Sequence, residues 1–224
     1  MRKTLLLTIA VICLAQISNA QISKGSLFLG GSLSFGSSSN KDQNTSTQDS
    51  KSSGWNISPQ FGKAIATNKI VGVYVNFSHN NFESGSGTQL QQRPSNTYGG
   101  GVFYRRYYPL PSRFYLFGEA SLGTSIGKEE QKYGGSLQTQ TERTSIGFSI
   151  TPGISYAASS KLYLEASLNS LANLYYQWAK TTTYPPATGG VTSISNQKQF
   201  GVAANGNGTS GISIGLRWIL PSKS

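Results

Sequence analysis

The sequence predicts an all-β transmembrane fold, an eight-stranded antiparallel up-and-down barrel preceded by a cleaved signal peptide. Three observations predict it. A short apolar leader opens the chain, apolar and polar residues alternate along one segment after another, and the connections between those segments alternate between short and long.

The leader comes first. Arg2 and Lys3 precede an apolar run from Leu5 to Ile17 broken only by Thr8, Cys13 and Gln16, and Ser18-Asn19-Ala20 offers small residues at the positions a signal peptidase reads. The run is shorter than the ~20 residues a spanning helix needs. The sequence therefore divides into a signal peptide over 1–20 and a barrel domain over 21–224. Cys13 follows Ile12, where a lipoprotein site wants a small residue, so it reads as an apolar member of the leader. Once it is removed, neither a disulfide framework nor a thiolate site is available.

Losing Arg2 and Lys3 lowers the formal charge from +11 to +9. Basic charge alone would suit nucleic acid, but export argues against that partner. The 26 glycines, the abundance of Ser, Thr, Asn and Tyr, and a hydrophobic content of only 37% suit a barrel with a polar interior and a thin apolar outer band.

The strands are read from alternation. Val71, Val73, Val75 and Phe77 are separated by Gly72, Tyr74 and Asn76. Leu116, Gly118, Ala120, Leu122, Thr124 and Ile126 alternate with Tyr115, Phe117, Glu119, Ser121, Gly123 and Ser125. Leu162 to Leu168 and Ile212 to Trp218 follow the same rule. Over the whole chain this predicts strands at 25–38, 53–66, 70–82, 97–109, 114–127, 142–157, 161–177 and 207–219. An even number returns both termini to the periplasmic side.

Short turns are expected at Thr67-Asn68-Lys69, Leu110 to Arg113 and Ala158-Ser159-Ser160, and long polar loops over 39–52, 83–96, 128–141 and 178–206. Tight periplasmic turns with four longer extracellular loops are the habit of a membrane barrel. A weak echo at an offset of 93 residues, Leu29 to Leu33 against Leu122 to Ile126, reflects one architecture imposed twice. Pro59 and Pro152 fall inside predicted strands, where a missing N–H predicts a bulge.

Phe103-Tyr104-Arg105-Arg106-Tyr107-Tyr108-Pro109, a short turn, and Phe114 to Ala120 resemble the paired fourth and fifth strands of small outer-membrane barrel proteins. These are the porin-like barrel domains related in architecture to OmpA and OmpX. The resemblance implies eight strands and a mostly plugged lumen. The chain departs from the pattern at its end, Pro221-Ser222-Lys223-Ser224, where such proteins finish on an aromatic residue read by the barrel-assembly machinery.

Of eight acidic residues, Asp42, Asp49, Glu83, Glu129, Glu130 and Glu142 fall in or beside the predicted outer loops. Glu119 and Glu165 instead lie on the inward side of strands. An inward carboxylate needs a cation; Arg105 is the first candidate and Arg217 the second. The four predict an interior charge network. Because an eight-stranded interior is just wide enough for side chains, it reads as a plug before it reads as a selectivity constriction.

His79 is the lone histidine, which excludes a multi-imidazole metal site, and no cofactor motif is present. His79 with Glu83 and Ser78 or Ser84 invites comparison with lipid-modifying barrel hydrolases, but a surface histidine at headgroup level is the simpler reading. Two aromatic girdles are expected. Trp55, Phe82, Tyr98, Tyr175, Tyr176 and Trp178 map near the outer loops; Tyr104, Tyr107, Tyr108, Phe114, Tyr156 and Trp218 map near the turns. Lys24, Lys63, Lys69, Arg106, Arg113, Lys161 and Lys223 give the turn side a basic rim suited to lipid phosphates.

The sequence thus predicts a non-enzymatic protein of the cell outer membrane with a structural or surface-interaction role. A narrow channel for small solutes is the alternative, and a lipid-modifying enzyme comes third. Its expected partners are outer-membrane lipids and lipopolysaccharide, and the assembly machinery during insertion.

Overall fold

The computed structural model describes residues 21–40, 49–85, 89–168, 171–184, 191–204 and 212–221; the signal peptide expected over 1–20 lies outside these. The described residues form ten antiparallel strand segments and no α-helix. They are β1 (Leu27–Asn40), β2 (Ser50–Ala66), β3 (Lys69–Ser84), β4 (Gln91–Pro109), β5 (Phe114–Tyr133), β6 (Ser136–Ala157), β7 (Leu162–Leu168), β8 (Ala172–Thr183), β9 (Ser193–Ala204) and β10 (Ile212–Leu220).

Eight of the segments close a ring at the turn end. β1 to β7 pair in sequence, β7 pairs β10, and β10 returns to β1 with Leu27 opposite Leu220 and Leu33 opposite Ile214. Closure leaves no open edge in that half, the condition for a sheet in lipid. β8 and β9 extend the seventh and eighth positions outward: β6 pairs β8 from Ile150 to Thr139, and β8 pairs β9 along its whole length. Two of the eight positions of the ring are therefore each built from two segments. Residues 193–204, expected within a loop, form β9 because β8 supplies a full ladder of partners.

The outer connections are also shorter than expected. Strands β5 and β6 run on to Tyr133 and Ser136 and meet in a two-residue turn, Gly134-Gly135, both at positive φ (55° and 84°). That is the left-handed pair a tight hairpin demands, and glycine adopts it without a Cβ clash. The polar stretch 128–141 is thus a projecting hairpin rather than a loop. On the other side, Asn68, Ser112 and Arg113 take φ near +60° in the short turns.

Neither proline produces a bulge in its own strand. The β1–β2 ladder runs unbroken through Pro59, and the β2–β3 register is the same on both sides of it, although Ser58 and Pro59 themselves lack β3 partners. Opposite Pro152 the irregularity falls on the neighbouring strand. Ile150 pairs Ala172 and Gly153 pairs Ser167, so the seventh position carries two more residues than β6 across the break between β7 and β8. The change of register coincides with the missing N–H of Pro152.

Strand alternation sorts side chains onto two faces. Val73 (54% exposed), Val102, Leu122, Ile146 and Ile214 (69%) form an outward apolar band. So large an exposed apolar surface suits lipid rather than water. The inward face has its own order along the axis. Phe28, Ile70, Phe103, Tyr107, Tyr115, Phe117, Tyr163 and Ile219 are buried at the turn end, while Ser, Asn, Thr and Gly line the outer half.

Candidate functional site

The chain seals its own turn end. Before β1 the backbone tucks beneath the barrel: Gly25 N–H donates to the Ala64 carbonyl (2.7 Å), and Ala64 N–H to the Ser26 carbonyl (2.8 Å). Ile22 N–H donates to Asn68 Oδ1 (2.9 Å), and Asn68 N–H returns a bond to the Ile22 carbonyl (3.0 Å). These bonds seat Ile22, 2% exposed, under the aromatic layer. There Tyr107 contacts Tyr115 and Phe117, and Phe28 contacts Phe103, with ring centroids 5.7–5.9 Å apart.

The four predicted charges lie directly on that layer. Arg105 from β4 is the hub. Its guanidinium is 2.6 Å from Glu119 on β5 and 2.7 Å from Glu165 on β7, and it donates to the Tyr107 hydroxyl (3.1 Å) and to Gln60 Oε1 (3.3 Å). Tyr107 Oη–H donates in turn to Glu165 (2.5 Å), and Gln60 Nε2–H to Glu119 (3.2 Å). Arg217 from β10 places Nε 3.2 Å from Glu165 Oε2, an ion pair whose alignment falls short of a hydrogen bond. It anchors itself by donating to the Gly31 and Leu216 carbonyls. Its side chain crosses over Gly30, where a Cβ would collide with it.

Two guanidinium cations and two carboxylates, none more than 8% exposed, sum to zero. Ions taken out of water lose far more solvation than one contact returns. Here each carboxylate has several donors, and Arg105 also lies over the rings of Phe117 (4.4 Å) and Phe28 (5.1 Å). Charges and aromatics make one layer across the lumen.

Above this floor is a polar cup of about 590 Å³. Its walls carry the hydroxyl pairs Ser121–Ser149 and Ser125–Ser145, each 2.7 Å apart, together with Tyr74, Asn173 and Tyr175. A second cavity of about 670 Å³, lined by outer residues of β1 to β3, shares Asn56 and Ser213 with it and carries the space outward.

Sequence reasoning did not find Gln60, Tyr107 or Ile22. Tyr107, expected in the girdle, points inward at 1% exposure because it shares the parity of Arg105. Trp55, Tyr98, Tyr104, Tyr108, Tyr156, Trp178 and Trp218 are on the outer surface, 37–53% exposed. Tyr176 is half-buried edge-on against Trp178, 4.6 Å between centroids. His79 is bonded to Asn96 (2.8 Å) and lies beside Trp55, whereas Glu83 accepts from Asn81 and Gln92. The structure does not join His79 and Glu83 into a catalytic pair.

A family model described as the outer membrane protein beta-barrel domain matches residues 4–205. The chain belongs to this family. Among solved structures, the outer membrane protein OprG from Pseudomonas aeruginosa aligns with TM-score 0.53 at 13% identity, over 89% of this chain and 98% of that one. Neisserial surface protein A (NspA) aligns with TM-score 0.38 at 16% identity, over 87% and 96%. At such identities OprG speaks for a shared fold, and the NspA score is too low to add to it. No curated protein matches the chain. For this member of the outer-membrane barrel family, the lumen with its sealed floor and open cup is the place to seek function.

Proposed function

We propose that the chain is a non-conducting, non-enzymatic barrel of the outer membrane that acts through its outward-facing half. One observation carries this reading: the layer formed by Arg105, Glu119, Glu165, Arg217 and the rings beneath them fills the lumen from wall to wall. An ion crossing it would have to displace a charge set already satisfied internally, and then pass an aromatic layer backed by Ile22. Outward of the floor, the projecting β5–β6 hairpin and the polar cup are the surfaces available to partners. Outer-membrane lipids and lipopolysaccharide surround the apolar band on this reading, with the exposed aromatics at its two margins. His79, bonded to Asn96 and to no carboxylate among the described residues, supports a surface role rather than a hydrolytic one.

Planar-bilayer recording on the refolded full chain tests it. The expected record is silent at high salt, and steps appear only when the floor is opened, as in Arg105→Ala combined with Tyr107→Ala. Steady unitary conductance from the unmodified protein would overturn the closed lumen in favour of a narrow channel.

A further inference from the structure

We propose that the cup above the charged floor binds a neutral polyhydroxylated molecule the size of a mono- or disaccharide, entering from the outer end. The inference rests on the closed floor, which makes the cup a dead end where a ligand can reside rather than a stretch of a conduit.

Size comes first. A cavity of about 590 Å³ lies within the ~300–1,000 Å³ of small-molecule sites, and the adjoining cavity beside β1 gives a route from outside. Charge selects the class. The ionised groups at the base are Arg105, Glu119 and Arg217, and with Glu165 behind them they neutralise one another. The walls above carry hydroxyls and amides. An ion entering would shed its water and meet no free counter-charge, which is costly. A neutral ligand avoids that cost.

Hydrogen-bond stoichiometry then favours hydroxyl groups. In each pair, Ser121–Ser149 and Ser125–Ser145, two hydroxyls share one bond. One O–H proton of the Ser125–Ser145 pair is left to donate, Ser121 of the other pair also bonds the Tyr74 hydroxyl, and the oxygens of both pairs keep lone pairs to accept. Asn173 Oδ1, also on the wall, is buried and accepts no hydrogen bond among the described residues. A ligand hydroxyl, donor and acceptor at once, satisfies both kinds of group. The rings of Tyr74 and Tyr175 supply flat faces for the C–H side of a sugar ring, and Gln199 fixes Tyr175 by donating to its hydroxyl (3.2 Å).

The test uses the refolded full chain in an amine-oxide detergent, which has no sugar headgroup to compete, titrated calorimetrically at pH 6 with maltose, glucuronate and glucosamine. Saturable maltose binding is expected, with both charged sugars at least tenfold weaker. Ser125→Ala with Ser145→Ala removes a bonded pair together, leaving no orphan in the fold, and is expected to weaken maltose about tenfold, or ~1.4 kcal/mol, with an unchanged unfolding midpoint. Asn173→Leu, which removes the unpartnered acceptor, should weaken it without loss of stability. No saturable binding up to about 50 mM, a millimolar-class limit, would overturn the proposal. So would stronger binding of either charged sugar, or undiminished maltose binding in both variants. The bilayer record is read separately: silence without maltose binding removes the cup site alone, whereas conductance removes the closed floor.

Discussion

The two halves of the barrel are held together by different means. In the turn half, eight positions close into a ring, and the lumen is packed with rings and a satisfied charge set. In the outer half the interior is a space lined by hydroxyls. Among the described residues there, Ser34–Asn40 of β1 pair only with β2, and β9 pairs only with β8. The ladders continue beyond the apolar band, but the packing does not. Stability is therefore concentrated in the turn half, where the chain packs on its own core, and the outer half contributes backbone pairing without a packed interior.

The largest expected effect follows from breaking the hub. Arg105→Leu leaves Glu119 and Glu165 facing each other with only Arg217 for both, and stranding buried charge in this way costs about 3–5 kcal/mol. Adding Glu119→Gln returns the layer to one cation and one carboxylate, Arg217 and Glu165. Urea unfolding in detergent should show that the double variant recovers much of the loss. If Arg105→Leu alone unfolds at the wild-type midpoint, the charge layer is not what holds the turn half.

Much of this layer was legible in the sequence, and the reason is parity. An acid on the inward side of a strand demands a cation, so Glu119 and Glu165 pointed to Arg105 and Arg217. The same parity assigns Tyr107 inward, but in Phe103 to Tyr108 the two residues that break the aromatic run, Arg105 and Arg106, are adjacent and fall one on each face, so the run shows no polar contrast between its faces. Gln60 is one polar residue among many until closure of the ring sets it across the lumen from Glu119 of β5. Strand β9 was illegible for another cause. Ser193 to Gln199 lie beyond the apolar band with both faces exposed, so the period-two signal vanishes while backbone pairing to β8 persists. The break opposite Pro152 depends on a register between strands, which a single chain order does not display.

A smaller effect separates lipid-facing from projecting positions. Val73 and Ile214 stand outward in the apolar band, whereas Tyr133 adjoins the Gly134-Gly135 tip. Arginine at Val73 or Ile214 should cost ~2–4 kcal/mol near the bilayer midplane, and Tyr133→Arg only ~0–1. Unfolding of the three variants in lipid vesicles checks the difference. Equal costs at all three positions would mean that the apolar band is not where the bilayer sits.

The smallest expected effect belongs to the projecting hairpin and sharpens the contrast between the halves. Near its tip Glu130 bridges Lys128 (2.8 Å) and Lys132 (3.1 Å). Hydrogen bonds from these two lysines hold the Glu130 carboxyl below its ordinary range, and Glu130 raises Lys128 in return. A carboxyl whose folded value is depressed adds stability that is present above its unfolded value and lost as pH falls through the folded one. The bridge therefore tightens the hairpin at neutral pH and releases it in acid. Because these side chains are largely in water, solvent screens the gain, and the global unfolding midpoint should not respond. Amide hydrogen exchange resolves the local event: at neutral pH, Glu130→Gln should exchange faster than wild type near Gly134-Gly135, and below the folded value the two should converge. The amides of β4 and β7 that flank the charged floor should be indifferent to the same substitution at every pH. Faster exchange there on removing Glu130, or a fall in the global midpoint, would mean that the halves are mechanically coupled and that the hairpin reports on the floor.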